Sequence, residues 1–358
     1  MSGGGLGVGM KSDIERQCSN PVESAIVHRS GFRVGGVSVG IVSDCSSGIA
    51  LAASLEPFRA ETDAVDVNIR VEWSENLDAK SERRLFDSGS TWRLFENGPG
   101  FQFDFNAPRF GEQPYKRLLV DAHFRDATIQ MNQERLAYSS YAAEPLAYPL
   151  DELLIMHRLT QEKAIELHSC GIVRPDGTGN LFVGHSGAGK STTTRLWTER
   201  EDVEVLSDDR IIVRRDEGAV ETPRHANGAA NKQQVLRLRD RSASPIGHSA
   251  QDDKPNKTSG MRMYGTPWHG EAMYASPNSA PLSRIFILEH GHGNVLTRLS
   301  PSQAVAELFA RSFVPFHRHE YVDSALDFLQ ELVGSVPCYH FAFEPDQRAV
   351  ETVLNFRD

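Results

Sequence analysis

The residues best suited to chemistry form a glycine-rich loop, GHSGAGKST, at residues 184–192. They match the pattern GxxxxGK[ST], in which glycines let the backbone approach phosphate oxygens and consecutive N–H groups point inward. Lys190 is expected to contact the β- and γ-phosphates, and the Ser191 hydroxyl to ligate Mg²⁺. The alternative is a glycine-rich turn that binds nothing. We predict a nucleoside triphosphate site made of Gly184, His185, Ser186, Gly187, Ala188, Gly189, Lys190, Ser191 and Thr192.

Two adjacent carboxylates, Asp208 and Asp209, follow a short apolar segment at 203–206. One carboxylate placed there is suited to hold Mg²⁺, directly or through water. The second is suited to take a proton from an acceptor hydroxyl. The alternative is an exposed acidic turn with no chemical role.

Several histidines invite a functional interpretation. His168 ends an apolar stretch before the loop, and a lone histidine is more often a satisfied core or surface residue. The segment GTPWHGE at 265–271 contains His269 and Glu271 and is either a tight structural turn or part of a substrate site. The sequences EHGH at 289–292 and HRHE at 317–320 lack the helical HExxH spacing, so we expect surface histidines rather than a metal site.

The elements around the loop follow a strand–loop–helix order, since the apolar strand 181–183 runs directly into it and a helix is predicted at 191–198. A helix is predicted at 148–160 and a strand at 164–173 before it. After it the pattern predicts strands at 203–206, 211–213, 261–264, 284–288, 295–299 and 338–343, and helices at 303–313, 322–333 and 345–356.

The first 150 residues read differently. Residues 1–30 are polar and rich in Gly and Ser, and we expect them to be poorly ordered. Residues 31–150 alternate apolar and polar side chains as strands do, and predict a β-rich accessory domain. Its strands are predicted at 36–42, 65–73, 101–105 and 118–124, with a turn at 98–100.

Residues 151–358 then form the predicted P-loop domain, interrupted by a polar segment at 221–260. That segment has few large apolar residues, so it cannot bury enough surface to offset its ordering entropy. We interpret it as a disordered or mobile insertion. It could gate substrate or be a passive loop, and we favour the passive loop.

Composition limits the classes of function. The chain has 358 residues and a formal net charge of −10, which disfavours general binding to nucleic acid. No apolar run approaches the length needed to cross a bilayer, and the N-terminus does not read as a secretory signal. Its four cysteines form no CxxC pair, which favours free thiols and a cytoplasmic protein.

Taken together, LHSCGIVRPDGTGNLFVGHSGAGKST, VLSDDRIIVR and MYGTPWHGE resemble the HPr kinase/phosphorylase-like proteins. Their catalytic domain is similar to phosphoenolpyruvate carboxykinase, so the resemblance implies an α/β (α+β) P-loop domain of that type after the β-rich region. It covers residues 153 to the C-terminus without the insertion. The GTPWHGE segment is closer to the diverse homologues that include kinases encoded with lasso peptides.

The resemblance implies roles for particular residues. Lys190 and Ser191 match the phosphate-binding lysine and the metal-binding serine. Asp209 matches the general base, Asp208 lies nearer the metal, and His168 matches a histidine that supports the catalytic aspartate. HPr kinase itself usually has Asp in place of His185 and Glu in place of Thr192, and its Arg-Gly substrate signature has no clear match. These departures argue against HPr as the substrate.

These observations predict an ATP- and Mg²⁺-dependent kinase that phosphorylates a Ser or another hydroxyl of a peptide, protein or small molecule. Nucleic acid and membrane are not expected partners, and a homo-oligomer is possible because relatives are often oligomers. Two alternatives stay open: a nucleotide-dependent switch or ATPase without an acceptor, and a degenerate nucleotide-binding protein. Retention of both aspartates argues against the degenerate protein.

Overall fold

The computed structural model describes residues 28–43, 49–61, 64–77, 82–111, 113–136, 144–216 and 260–357. In these ranges the chain is a mixed α/β protein, rich in strands and with few helices. The strands of the first sheet are β1 (His28–Val34), β2 (Val37–Ser43), β3 (Val67–Ser74), β4 (Arg84–Asp87), β5 (Trp92–Asn97), β6 (Gly100–Phe105), β7 (Lys116–Val120) and β8 (Asp126–Asn132).

The second sheet comprises β9 (Ala164–Val173), β10 (Gly179–Val183), β11 (Glu204–Ser207), β12 (Arg210–Arg215), β13 (Met261–Tyr264), β14 (Ser279–His290), β15 (Val295–Arg298), β16 (Ser312–Phe313) and β17 (Cys338–Phe343). The helices are α1 (Gln133–Leu136), α2 (Leu150–Leu159), α3 (Lys190–Thr198), α4 (Pro301–Phe309), α5 (His319–Ser335) and α6 (Gln347–Asn355).

The first sheet has the order β1-β2-β3-β8-β7-β6-β5-β4. β4 to β8 form an antiparallel meander, whereas β3 runs parallel to both β2 and β8. The predicted turn between β5 and β6 is confirmed, because Asn97 pairs with Gly100 and Gly98 takes a φ of +55°. Alternation in β3 is also as predicted, with every second side chain buried from Val67 to Val71.

Two predictions near this sheet need correction. Residues 28–30 belong to strand β1, because Gly35 and Gly36 form a tight turn with positive φ that pairs 28–34 with β2. Residues 1–27 lie outside the described residues. The strand predicted at 118–124 ends at Val120, since the Asp121 carboxylate accepts the backbone N–H groups of the next turn.

The strand that precedes the glycine-rich loop, β10, has a neighbour on each side in the second sheet. β10 pairs antiparallel with β9 on one side and parallel with β14 on the other. β14 in turn runs parallel to β17, and β12 pairs with the first half of β9. Because β9 and β14 each pair with different neighbours along their length, one sheet carries both the loop and the aspartate pair.

Helices cover both faces of this second sheet. α4 and α5 bury Leu308, Phe328 and Leu329 against one face. α3 and α6 bury Trp197 and Val350 against the other. A third apolar cluster fills the space between the first sheet and α2. The second sheet contributes Ile212 to it, and the loop after β13 contributes Trp268.

The helix predicted at 303–313 ends earlier than expected. It begins at Pro301, two residues earlier than predicted, after a capping box in which the Ser300 side chain accepts from the backbone of Gln303. It stops at Phe309, and Ser312–Phe313 turns into strand β16, which pairs with β9. Backbone pairing to the sheet thus takes precedence over the apolar helical pattern.

The polar segment predicted as an insertion joins β12 to β13, which pair antiparallel as the two arms of a hairpin, Arg215 opposite Met261. Residues 221–259 of that segment lie outside the described residues. In the described ranges, Cys170 and Cys338 are buried free thiols. None of the helices there combines the length and apolar character that crossing a membrane requires.

Candidate active site

The glycine-rich loop joins the end of β10 to the start of α3. Gly187 and Gly189 adopt φ values of +82° and +102°, a region that side chains rarely tolerate. A Cβ at Gly189 would also lie 2.4 Å from Cζ of Phe343. Glycine is therefore required at Gly189 for both backbone conformation and space, as expected where a backbone must approach a ligand.

Backbone N–H groups of the loop are available to an anion. Those of Ser186 and Gly187 have no acceptor in the part of the chain that the structure describes. The first N–H groups of α3 have no intrahelical partner, and Gly189 at its N-cap supplies no side-chain cap. Together with the positive end of the helix dipole, these donors make a site of the kind that holds phosphate.

Lys190 lies over this loop and is largely buried. Its Nζ donates to the carbonyl oxygens of Gly184 at 3.0 Å and His185 at 3.2 Å, which leaves one of its three N–H groups. Burial lowers the pKa of Lys190, and the charge of Asp209 opposes that effect. Two carbonyl oxygens of the loop thus fix the ammonium, and the charge of Asp209 favours its protonated form.

Asp209 is held by His168 from the neighbouring strand. Nε2 of His168 lies 2.9 Å from Oδ1 of Asp209, and the guanidinium of Arg210 contacts the other oxygen. Burial would raise the pKa of Asp209, but the hydrogen bond from His168 and the charges of Arg210, His168 and Lys190 outweigh it. The pKa is therefore below its ordinary value, and this half-buried carboxylate is ionised at neutral pH.

Asp208 is used differently from its neighbour. Its carboxylate accepts backbone N–H groups from three residues that lie within or just after the GTPWHGE segment. They are Gly270 at 3.0 Å, Ala272 at 2.8 Å and Tyr274 at 3.2 Å. Only 1% of the residue is exposed. The carboxylate therefore fixes the loop at 270–274, and its burial leaves little room for a metal ion to reach its remaining lone pair.

Two hydrogen bonds anchor the first part of the GTPWHGE segment. The Thr266 hydroxyl donates to the carbonyl of Arg210 at 2.8 Å, and the indole of Trp268 donates to Asp151. His269 and Glu271, the predicted substrate residues, are exposed, and Gly270 between them lies against Asp208 and Asp209. The segment is thus an anchored turn next to the aspartate pair, with two exposed polar side chains.

Arg210 connects the site to buried carboxylates. Its Nε lies 2.8 Å from Glu152 and 3.5 Å from Glu166. Glu166 is fully buried, and burial together with the nearby Glu152 raises its pKa well above the ordinary value. The positive charge of Arg210 therefore offsets the negative charges of Asp209 and Glu152. The raised pKa of Glu166 favours its protonated form.

Arg311 was missed by the sequence reasoning, which placed it inside a helix. It lies between α4 and β16, and its carbonyl accepts the backbone N–H of His168 at 2.8 Å. Its side chain is 9% exposed, and its Nε has no hydrogen-bond partner among the described residues. Its charge is the main cause that lowers the pKa of His185 in the loop. A basic residue at the end of α4 was the only sequence signal available.

In the described ranges no group of three or more His, Cys, Asp or Glu side chains is arranged to hold a metal ion. His292 and His319 are exposed, as expected of surface residues. His317 corrects that expectation, because its ring packs 5.2 Å from the ring of the buried His157.

Comparison of the chain with protein-family models gave no match, and comparison with curated proteins gave none either. The interpretation of the site therefore rests on its residues and their geometry.

Proposed function

We propose that this protein is an ATP-dependent phosphotransferase that moves the γ-phosphate to a hydroxyl of a peptide, protein or small molecule. The observation that carries the proposal is the pair of His168 and Asp209, held 2.9 Å apart at the flank of a glycine loop with available N–H groups. Positioning and charge stabilisation supply most of the catalysis in such reactions, and the site contains the groups for both. The proposed fold is the HPr kinase and phosphoenolpyruvate carboxykinase type of P-loop domain.

In the proposed mechanism the loop N–H groups and Lys190 bind the β- and γ-phosphates and neutralise the charge that develops during transfer. Asp209 accepts a hydrogen bond from the acceptor hydroxyl and takes its proton as the phosphate moves. Because its pKa is low, Asp209 stays ionised and can orient the hydroxyl, as the aspartate base of phosphoryl-transfer enzymes does. His168 donates to Asp209 and fixes its orientation.

The proposed cofactor is Mg²⁺, which supplies charge neutralisation between the phosphates. Ser191, half-buried at the start of α3, fits a metal ligand. Asp208 fits less well than the sequence predicted, since its oxygens already accept three backbone N–H groups. We propose that Asp208 acts first by holding the loop that presents His269 and Glu271.

Two alternative functions compete with the kinase proposal. An ATPase or nucleotide-dependent switch would use the same loop and release phosphate to water. A degenerate protein would bind nucleotide without turnover, but the ionised Asp209 and its partner His168 favour a working base over that alternative.

The test is transfer of the labelled γ-phosphate of Mg-ATP to candidate acceptors, with Lys190→Ala and Asp209→Asn as variants. We expect Lys190→Ala to lose nucleotide binding. Asp209→Asn should keep binding and lose transfer by about 10²- to 10⁴-fold, the range for loss of an acid–base group. Phosphate release without acceptor labelling supports the ATPase, and unchanged nucleotide binding in Lys190→Ala rejects the site.

A further inference from the structure

Three parallel strands end side by side next to the glycine loop. β10 ends at Val183, just before the loop, β14 ends at His290, and β17 ends at Phe343. Ligands of open α/β sheets bind in the crevice outside the carboxyl ends of such strands. The crevice at the carboxyl ends of β14 and β17, on the side of β10 away from β9, is therefore a place where part of a ligand would lie.

An open groove occupies that place. It has a volume of about 670 Å³ and is lined by residues 290–292 and 343–346. Each of these two segments begins with the last residue of its strand, β14 or β17. None of these residues takes part in the proposed phosphate transfer.

The groove is continuous with the glycine loop. Nε2 of the exposed His290 lies 2.8 Å from the carbonyl oxygen of Gly187. The imidazole stacks on Phe343, with ring centroids 5.8 Å apart and planes inclined by 26°. Phe343 in turn lies against Gly189, where no Cβ fits. One face of the loop thus carries the exposed imidazole of His290, backed by the buried ring of Phe343.

The reacting groups lie on the opposite flank. Asp209 and His168 belong to the β9 and β12 side of β10, whereas His290 and Phe343 belong to the β14 and β17 side. A triphosphate lying along the loop with its γ-phosphate toward Asp209 would point its other end at the groove.

We propose that this groove receives the aromatic base of the nucleotide, stacked against the imidazole of His290. Its rim carries the carboxylates of Glu344 and Asp346, which accept hydrogen bonds from neighbouring backbone and Arg348 and keep further lone pairs. These acceptors favour a base whose edge carries N–H donors, such as the amino group of adenine. The inference rests on the proposed function, because it assigns the part of the ligand that the phosphate loop does not hold.

The test compares the binding of Mg-ATP with that of magnesium tripolyphosphate, which lacks the base, by calorimetry. In the unaltered protein ATP should bind more tightly than tripolyphosphate. His290→Ala should weaken ATP binding about tenfold, the order of one lost stacking contact, and leave tripolyphosphate binding within about twofold. His290→Phe should restore much of the ATP affinity, because it keeps an aromatic ring but not the hydrogen bond to Gly187. His319→Ala, an exposed histidine on α5, serves as the matched control and should change neither ligand.

Each other outcome has a defined meaning. Equal affinity of the unaltered protein for ATP and tripolyphosphate overturns the base site and leaves the phosphate site standing. Equal weakening of both ligands in His290→Ala overturns it too, since His290 would then act only on the phosphate loop. If neither ligand binds to the unaltered protein, the proposed function fails and this inference fails with it.

Discussion

The indole Nε1 of Trp268 donates a hydrogen bond to Oδ2 of Asp151 at 2.9 Å, and both residues are buried. Trp268 belongs to the segment that presents His269, whereas Asp151 lies on α2, against the first sheet. The Trp268 ring also packs in the apolar cluster of that first sheet. The N-terminal half of the chain therefore helps to hold the loop that borders the site.

Removing this hydrogen bond should destabilise the protein. We expect Trp268→Phe to lower the free energy of unfolding by about 1–3 kcal/mol, because the buried Asp151 loses its donor. Urea unfolding followed by circular dichroism measures the change. Asp151→Asn is the matched variant, since it keeps an acceptor for the indole and should cost less. A Trp268→Phe protein as stable as the parent would show that the bond contributes nothing.

Releasing the loop at 270–274 from its anchor should make it mobile. Asp208→Ala removes an acceptor shared by three backbone N–H groups, so we expect faster amide exchange in this loop and new proteolytic cleavage there. Hydrogen exchange by mass spectrometry resolves the peptide. Asp202→Ala, an exposed aspartate paired with Arg200, is the control. Unchanged protection of 270–274 in Asp208→Ala would contradict an anchoring role.

A buried histidine should make the protein sensitive to acid. Burial and the nearby His317 lower the pKa of His157 from 6.5 to about 3. The unfolded chain therefore takes up a proton below about pH 6.5 that the folded chain refuses, so stability is lost as the pH falls from there toward 3. The loss is at most about 5 kcal/mol at 1.36 kcal/mol per pKa unit.

We expect His157→Phe to flatten this dependence, because the ring stacks on Phe124 and its Nε2 has no partner among the described residues. Unfolding free energies measured from pH 4 to pH 7 give the slope for each variant. His319→Phe, at an exposed position, should keep the slope of the parent. An equally steep slope in His157→Phe would assign the acid sensitivity to other groups.

Arg311 should contribute to anion binding at the loop. Its guanidinium pairs with the carboxylate of Glu307, yet its charge still lowers the pKa of His185 and of Lys190. We expect Arg311→Gln to weaken Mg-ATP binding about tenfold, or about 1.4 kcal/mol, and to raise the pKa of His185 in an NMR titration. Arg298→Gln, far along β15, is the control. A raised pKa of His185 with unchanged ATP affinity would limit Arg311 to a structural role.

Local patterns predicted most of the individual elements. The strict alternation at 65–73 predicted β3, and the apolar run before GHSGAGKS predicted β10 and the loop that follows it. These predictions succeed because the interactions that determine such elements join residues close together in the sequence. The helix end at Phe309 was misplaced because the competing interaction, the pairing of Ser312 with Leu167, joins distant parts of the chain.

The same distinction applies to the site. The pairing of His168 with Asp209 follows from two strands being neighbours, and only the family resemblance suggested it in advance. The use of Asp208 as an anchor for 270–274 could not be predicted, because an aspartate that accepts backbone N–H groups has the same sequence signature as one that holds a metal. The contribution of Trp268 to the first sheet's core depends on packing between elements far apart in sequence.

The position of β10 also bears on how the site is made during synthesis. Val183 pairs with Ile287, so the strand before the glycine loop has only one of its two flanking strands until β14 has left the ribosome. Phe343, which packs against Gly189, emerges later still. We therefore expect a nascent chain that already carries GHSGAGKS to lack a fully supported loop, so any ligand binding there would follow synthesis of β17 rather than emergence of the motif.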